Sequence, residues 1–208
     1  SSSLRSIKNM KNKSKAFKRI RERSAGGRLI TLGRILSEAT LLEGEEIKMS
    51  ELHGLSQRGG SVTVQLRFGS NIYSPLVPQG KANLILVLER SETFKNCYFA
   101  SKSSKTVFLV NDHFIPSPTL QNVRVLENQE LSKKLRDFSE KVIFIKASQI
   151  VKEKLGAEVI AGIFIISYAA FNQLLPLNPS SILKAIKKVV PKKYLDLNEK
   201  AFNLAKKY

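Results

Sequence analysis

Leu84-Ile85-Leu86-Val87-Leu88 is an unbroken run of five apolar residues, closed by Glu89 and Arg90. A strand with one face in water alternates apolar and polar side chains, whereas a run that is apolar at every position offers no face to solvent. We therefore read it as a strand buried on both sides of a sheet. Thr106–Val110 and Val142–Ile145 have the same character. Strands of this kind belong to sheets with helices packed on both faces.

Working outward, the segments between these runs supply the helices. Leu29, Ile30, Leu32, Ile35, Leu36 and Ala39 recur at helical spacing, and Gly44 is a plausible stop. Gln149–Leu155, Val159–Phe171, Ser180–Val189 and Leu197–Lys207 also read as helices. Glu46–Met49 opens an extended segment, and Ser61–Phe68 alternates (Val62, Val64, Leu66, Phe68) as a strand with one covered face. Buried strands alternating with helices predict an α/β fold with a doubly wound, mostly parallel sheet. With neither repeat nor low-complexity linker, residues 26–208 read as one domain, preceded by a basic N-terminal arm at 1–25.

The charge pattern marks that boundary. Of the net +18, residues 1–28 carry +9, and the remaining 180 residues share the other half. The arm shows only a faint helical pattern, Ala16, Phe17 and Ile20, and we expect it to be solvated and outside the sheet. Basic arms of this kind bind phosphate backbones, so a nucleic-acid-binding protein is the alternative reading. Against it, Phe17 is the arm's only aromatic available for stacking on bases.

At 42% hydrophobic and 25% charged, the chain has the composition of a folded globular protein. Its longest apolar stretch, Val159–Phe171, is 13 residues, short of the roughly 20 that span a bilayer. No membrane association is expected, and no signal peptide either, because no apolar segment follows the basic start. The opening Ser1, in place of Met, reads as a trimmed or incomplete start. Cys97 is the only cysteine, which rules out an internal disulfide and a four-thiolate iron–sulfur cluster held by this chain. His53 and His113 lack zinc-ligand spacing. A reducing, cytoplasmic setting is expected.

The least ordinary segment is Ser50-Glu51-Leu52-His53-Gly54-Leu55-Ser56-Gln57-Arg58-Gly59-Gly60-Ser61-Val62. Gly54, Gly59 and Gly60 allow a sharp turn and a close approach to another surface. Successive amides there could cradle an anion, and Arg58 adds a charge able to grip phosphate or carboxylate. A plain surface turn with solvated His and Arg explains the same residues. No catalytic residue stands out: Glu51 and His53 share a strand face but have no nucleophile or metal ligand beside them. His113 reads as exposed, and Cys97 as a buried small residue.

This segment resembles the E-x-H-G-M-x-Q-R-G-G-S-V stretch of the gamma-type domain of 2-oxoacid:ferredoxin oxidoreductases, with Leu55 in place of Met. Arg67-Phe68-Gly69, Ile72-Tyr73-Ser74-Pro75-Leu76-Val77-Pro78 and Gly80-Lys81-Ala82 resemble that family's following motifs, as does Leu84–Glu89. Leu174–Leu177 and Pro191–Phe202 are similar to its closing helices. The resemblance covers roughly residues 26–204 and is nearest the indolepyruvate branch. It implies a Rossmann-like domain in an enzyme that oxidatively decarboxylates a 2-oxo acid to an acyl-CoA, with coenzyme A as co-substrate and ferredoxin as electron acceptor. It also implies thiamine diphosphate, magnesium and iron–sulfur clusters on a larger partner subunit, since this chain has neither a diphosphate motif nor a cysteine set. Glu51, His53, Gly54, Gln57, Arg58, Gly59, Gly60 and Ser61 would then meet the partner and its active site.

Members of that family open with an apolar strand and Gly-x-Gly-Gly-Gln-Gly, which aims amides at an anion. Here Ala25-Gly26-Gly27-Arg28 stands at that place, and Ile20–Ser24 before it is not an apolar strand. Gly26 and Gly27 are the candidate anion-binding residues. The expected sheet is missing a central strand, through divergence, a sequence error upstream of Gly26, or a gap filled by a partner.

Overall fold

The computed structural model describes residues 14–18, 25–53, 62–114 and 126–208. Its strands are β1 (Ser14–Lys18), β2 (Ile47–His53), β3 (Val62–Phe68), β4 (Ala82–Val87), β5 (Val107–Asn111) and β6 (Lys141–Ile145). They form one six-stranded sheet in the order β2-β3-β1-β4-β5-β6. β1, β4, β5 and β6 run parallel, and β3 is antiparallel to both of its neighbours. The helices are α1 (Ala25–Leu42), α2 (Asn128–Leu135), α3 (Ala147–Leu155), α4 (Ala161–Phe171), α5 (Pro179–Val189) and α6 (Lys192–Ala205). This is the expected α/β class, with helices on both faces of a mostly parallel sheet.

The run that decided the fold behaves as expected: every residue of β4 is buried. Leu84, Leu86 and Leu88 join one core cluster, and Ile85 and Val87 join another on the opposite face. β5 divides in the same way, with Leu109 on the first side and Phe108 and Val110 on the second. α1 ends as its sequence predicts, with Gly44 at φ +74, where residues bearing a Cβ are strained. Between β6 and α4 the chain tightens into a 3-10 turn at Glu158–Ile160 before entering the apolar helix.

One expectation is corrected. The basic arm does not lie wholly outside the sheet, because Ser14–Lys18 is a central strand, antiparallel to β3 and parallel to β4. Ala16 pairs with Gln65 and Ile85, and Phe17 with Val64 and Leu86. The physical reason lies in the neighbours. β3 and β4 are buried along nearly their whole lengths, so a gap between them would leave two rows of backbone N–H and C=O groups without water. Each unpaired buried group costs about 1–3 kcal/mol, and a five-residue strand satisfies many at once. That need outweighs the poor strand composition of Ser-Lys-Ala-Phe-Lys. The rest of the arm, residues 1–13 and 19–24, lies outside the described residues.

The two faces differ in depth. On one, α1, α3, α4, α5 and α6 enclose the main core, with Phe164, Ile165, Ile35 and Ala185 at zero exposure. Phe171 and Phe202 tie α4 to α6 with ring centroids 5.1 Å apart. Lys188 of α5 pairs with Glu38 of α1 at 2.6 Å. On the other face, among the described residues, only α2 joins, through Leu131 and Leu135, together with the 3-10 stretch Phe94–Phe99 and the irregular segment around Val77.

Candidate functional site

The topology brings the described candidates His53, Gly26 and Gly27 to one end of the sheet. β2 ends at His53 and β3 begins at Val62, and these two residues pair directly. Next to Val62, Thr63 pairs with Lys18, the last residue of β1, which in turn pairs with Val87, the last of β4. The mouth of the glycine-rich hairpin therefore stands at the carboxyl end of the parallel strands. The first turn of α1, with Gly26 and Gly27, follows β1 at the same end. The strand order reverses at β1: the chain builds β2 and β3 on one side, then β4, β5 and β6 on the other. In open α/β sheets the crevice outside the carboxyl ends at such a reversal is where ligands bind.

Glu51 is half-buried on edge strand β2, opposite Val64. Gly54, Gln57, Arg58, Gly59, Gly60 and Ser61 lie outside the described residues. The amides of the first turn of α1 have no acceptor within the helix, which makes that end receptive to an anion.

A second group at this end was not anticipated from the sequence. Arg90 follows β4 and Asp112 follows β5, and their side chains pair at 2.7 Å. The Nδ2 of Asn128, the first residue of α2, donates to the other Asp112 carboxylate oxygen at 2.9 Å. Arg90 also donates to the Leu126 carbonyl. Burial would push the Asp112 carboxyl up, but the Asn128 hydrogen bond, the Arg90 hydrogen bond and charge, and the Lys146 charge together hold it below the usual range. Beneath this group, Asn111 Nδ2 donates to the Leu88 carbonyl at 3.0 Å and to Ser148 Oγ at 2.8 Å. The signal was available: charged and amide residues stand immediately after two fully apolar strands, where α/β folds place functional groups.

His113 is corrected from exposed to paired, its Nε2 lying 3.0 Å from Glu158 Oε1. Cys97 is partly buried on Phe94–Phe99, and burial pushes its thiol up against a lowering backbone hydrogen bond. A raised thiol is a poor nucleophile at neutral pH. Among the described residues no group of three His, Cys, Asp or Glu could hold a metal ion. None of the described helices is long and apolar enough to cross a membrane.

The motif after β3 has a structural role. Gln65 Oε1 accepts the Val77 N–H at 2.7 Å, and Arg67 Nη1 donates to the carbonyls of Ser74 at 3.0 Å and Leu76 at 3.4 Å. Two side chains of β3 thus pin Ser74–Val77 across the thinner face.

Comparison with known proteins bears on the family and the fold. Residues 20–208 match the family model described as pyruvate ferredoxin/flavodoxin oxidoreductase. The indolepyruvate oxidoreductase subunit IorB of Archaeoglobus fulgidus is 30% identical over 178 residues, 86% of this chain and 87% of that protein. The subunit of the same name from Pyrococcus horikoshii is 28% identical over 192 residues, 88% of this chain and 90% of that one. Among solved structures, the keto/oxoacid ferredoxin oxidoreductase gamma subunit of Geobacter sulfurreducens superposes with a TM-score of 0.66 at 18% identity, covering 94% of this chain and 96% of that one. The 2-oxoglutarate:ferredoxin oxidoreductase of Magnetococcus marinus superposes at 0.63 and 16% identity, covering 94% of this chain but 32% of that one.

Proposed function

We propose a function from one premise: the chain belongs to the pyruvate ferredoxin/flavodoxin oxidoreductase family. It is the small subunit of a 2-oxoacid:ferredoxin oxidoreductase that carries no cofactor of its own. Its substrate is indolepyruvate or another aryl pyruvate, converted with coenzyme A to an acyl-CoA and carbon dioxide while ferredoxin takes the electrons. The observation that carries this reading is the match to proteins named indolepyruvate oxidoreductase subunit, along nearly their whole length. A single cysteine does not suit an iron–sulfur cluster. Thiamine diphosphate, magnesium and the clusters therefore belong to a larger partner subunit in the cytoplasm, and the partner's cofactors supply the carbanion and electron-transfer chemistry.

What this chain contributes is surface. The hairpin residues Glu51, His53, Gly54, Gln57, Arg58, Gly59, Gly60 and Ser61 approach the partner's active site and help exclude water from it. Gly26 and Gly27, at the positive end of α1, offer amides to an anionic group such as a diphosphate or carboxylate. Nothing in the fold or the relatives favours nucleic-acid binding.

The test is reconstitution. The chain alone should be colourless and should not reduce a viologen dye with any 2-oxo acid. Combined with the larger subunit it should support reduction dependent on an aryl pyruvate and coenzyme A. In that complex, Arg58→Ala should lower turnover far more than it lowers the subunit's melting temperature. Thiamine-dependent turnover by the isolated chain would refute the reading.

A further inference from the structure

Between Gly69 and Thr106 the chain builds a surface on the thinner face that the proposed chemistry does not use. Segment 72–81 turns Ile72 and Val77 inward and is held from below by Gln65 and Arg67. It is bonded to the following 3-10 stretch and turn: Gly80 N donates to the Tyr98 carbonyl at 3.0 Å, and Ser104 Oγ donates to the Gly80 carbonyl at 2.6 Å. Among the side chains this framework leaves outward are three large apolar ones. Tyr73 is 87% exposed, Tyr98 58% and Leu76 49%.

The surroundings are basic. Lys81, Lys102 and Lys105 are exposed at the amino ends of β4 and β5. The only carboxylates between Gly69 and Thr106 are Glu89 and Glu92, at 3% and 7% exposure. The buried Glu92 pairs with Lys95 at 2.7 Å. The exposed Glu46 and Glu140 bonded to the ends of this segment are matched by the exposed Lys48 and Lys141, so the net charge shown to solvent is that of the other three lysines.

We propose that this surface docks an acidic-rimmed protein face, that of the larger subunit, which then spans the sheet from the glycine-rich hairpin to the opposite end. Interfaces draw their affinity from aromatic and aliphatic anchors surrounded by a charged rim, as Tyr73, Tyr98 and Leu76 are here. Because the anchors sit on backbone already fixed by hydrogen bonds, docking costs little ordering entropy. A second copy of this chain is a poor occupant, since two-fold pairing sets the lysine rim against itself. The occupant's identity rests on the functional reading above; its acidic chemistry rests on the lysines.

The experiment measures association of the full chain with the co-expressed larger subunit at low and high salt. Reversing the rim with Lys81→Glu, Lys102→Glu and Lys105→Glu together should weaken association about tenfold or more and flatten its salt dependence. Tyr98→Ala should weaken it at both salt concentrations, through a faster off-rate. Lys192→Glu with Lys193→Glu, on α6 of the thicker face, is the control and should change affinity less than about twofold. Unchanged binding by the rim and Tyr98 variants overturns the surface and leaves the function standing. Self-association of the chain through Tyr73 and Tyr98 overturns the occupant. Wild-type chain that binds no larger subunit, yet shows no self-association, overturns the functional reading and the occupant with it.

Discussion

The two faces of the sheet solve the same problem by different means. On the thicker face, five helices bury large apolar side chains with zero exposure, and stability there comes from area removed from water. On the thinner face, among the described residues, one short helix and two irregular segments cover the same strands, and directional hydrogen bonds position them. Packing of the first kind tolerates little change of volume, whereas hydrogen-bonded cover tolerates exposed apolar groups above it. The contrast explains why one face is a closed interior while the other leaves Tyr73, Leu76 and Tyr98 exposed.

The largest expected effect tests the first half of that contrast. Phe164 of α4 is fully buried and also meets the Tyr208 ring at 5.6 Å. Phe164→Ala should cost about 3–5 kcal/mol in a urea titration of the full chain. On the thinner face Val77→Ala removes only two methyl groups and should cost less than half as much. Equal losses would mean that the two faces are not distinct.

A smaller loss is expected where a staple is removed. Gln65→Leu keeps a buried apolar volume but takes the acceptor from the Val77 N–H. An orphaned buried donor costs about 1–3 kcal/mol. Faster hydrogen exchange at Val77, with α4 amides unchanged, would place that loss on the thinner face alone.

How far these features were legible in the sequence depends on where their causes lie. Leu84–Leu88 declared its burial because both faces of one strand are apolar. β1 did not, because the demand for Ser14–Lys18 to be extended comes from the unpaired backbone edges of β3 and β4, not from its own side chains. Ala16 and Phe17, part of a faint helical period in the sequence, lie in a strand that overrides it. α2 was missed for a related reason: in Asn-Gln-Glu-Leu-Ser-Lys-Lys-Leu only Leu131 and Leu135 are apolar, a single i, i+4 pair. In the candidate site, the strands that flank the glycine-rich segment pair as its alternating neighbours suggested, while the segment itself lies outside the described residues. Of the Arg90–Asp112–Asn128 group, Arg90 and Asp112 left a signal by following apolar strands, whereas Asn128 comes from a separate segment and left none.

The next effect is smaller and belongs to the thicker face. A Cβ on Gly162 would lie 2.6 Å from Leu32 Cδ1, so any side chain there requires Leu32 to shift. Leu32 is itself 5% exposed and has little room to retreat. Gly162→Ala therefore sets an overpacking cost of about 1–3 kcal/mol against a helix-propensity gain of about 1 kcal/mol. A net loss of about 1 kcal/mol in the same titration is expected. A gain in stability would show that α1 and α4 can separate, and that the thicker face is less rigid than its burial suggests.

The smallest effect separates the faces by pH. Asp112 accepts from Asn128 at the start of α2 and from Arg90, and its folded pKa is lowered. A group whose folded pKa lies below its unfolded value, about 3.9 for Asp, contributes stability that is fully present above that value. The contribution is lost as pH falls through the folded pKa. Because the group is partly exposed, the contribution is small, under about 1 kcal/mol. Its consequence should be local, since α2 is the only helix of the thinner face among the described residues and its first residue hangs on this carboxylate. Acidification below about pH 4 should therefore speed hydrogen exchange in Asn128–Leu135 before it affects Ala161–Phe171. Asp112→Asn should show the faster α2 exchange already at neutral pH and lose the acid dependence. If α2 and α4 respond together in the wild type, the thinner face is not held by these polar contacts, and its stability comes instead from the Leu131 and Leu135 side chains.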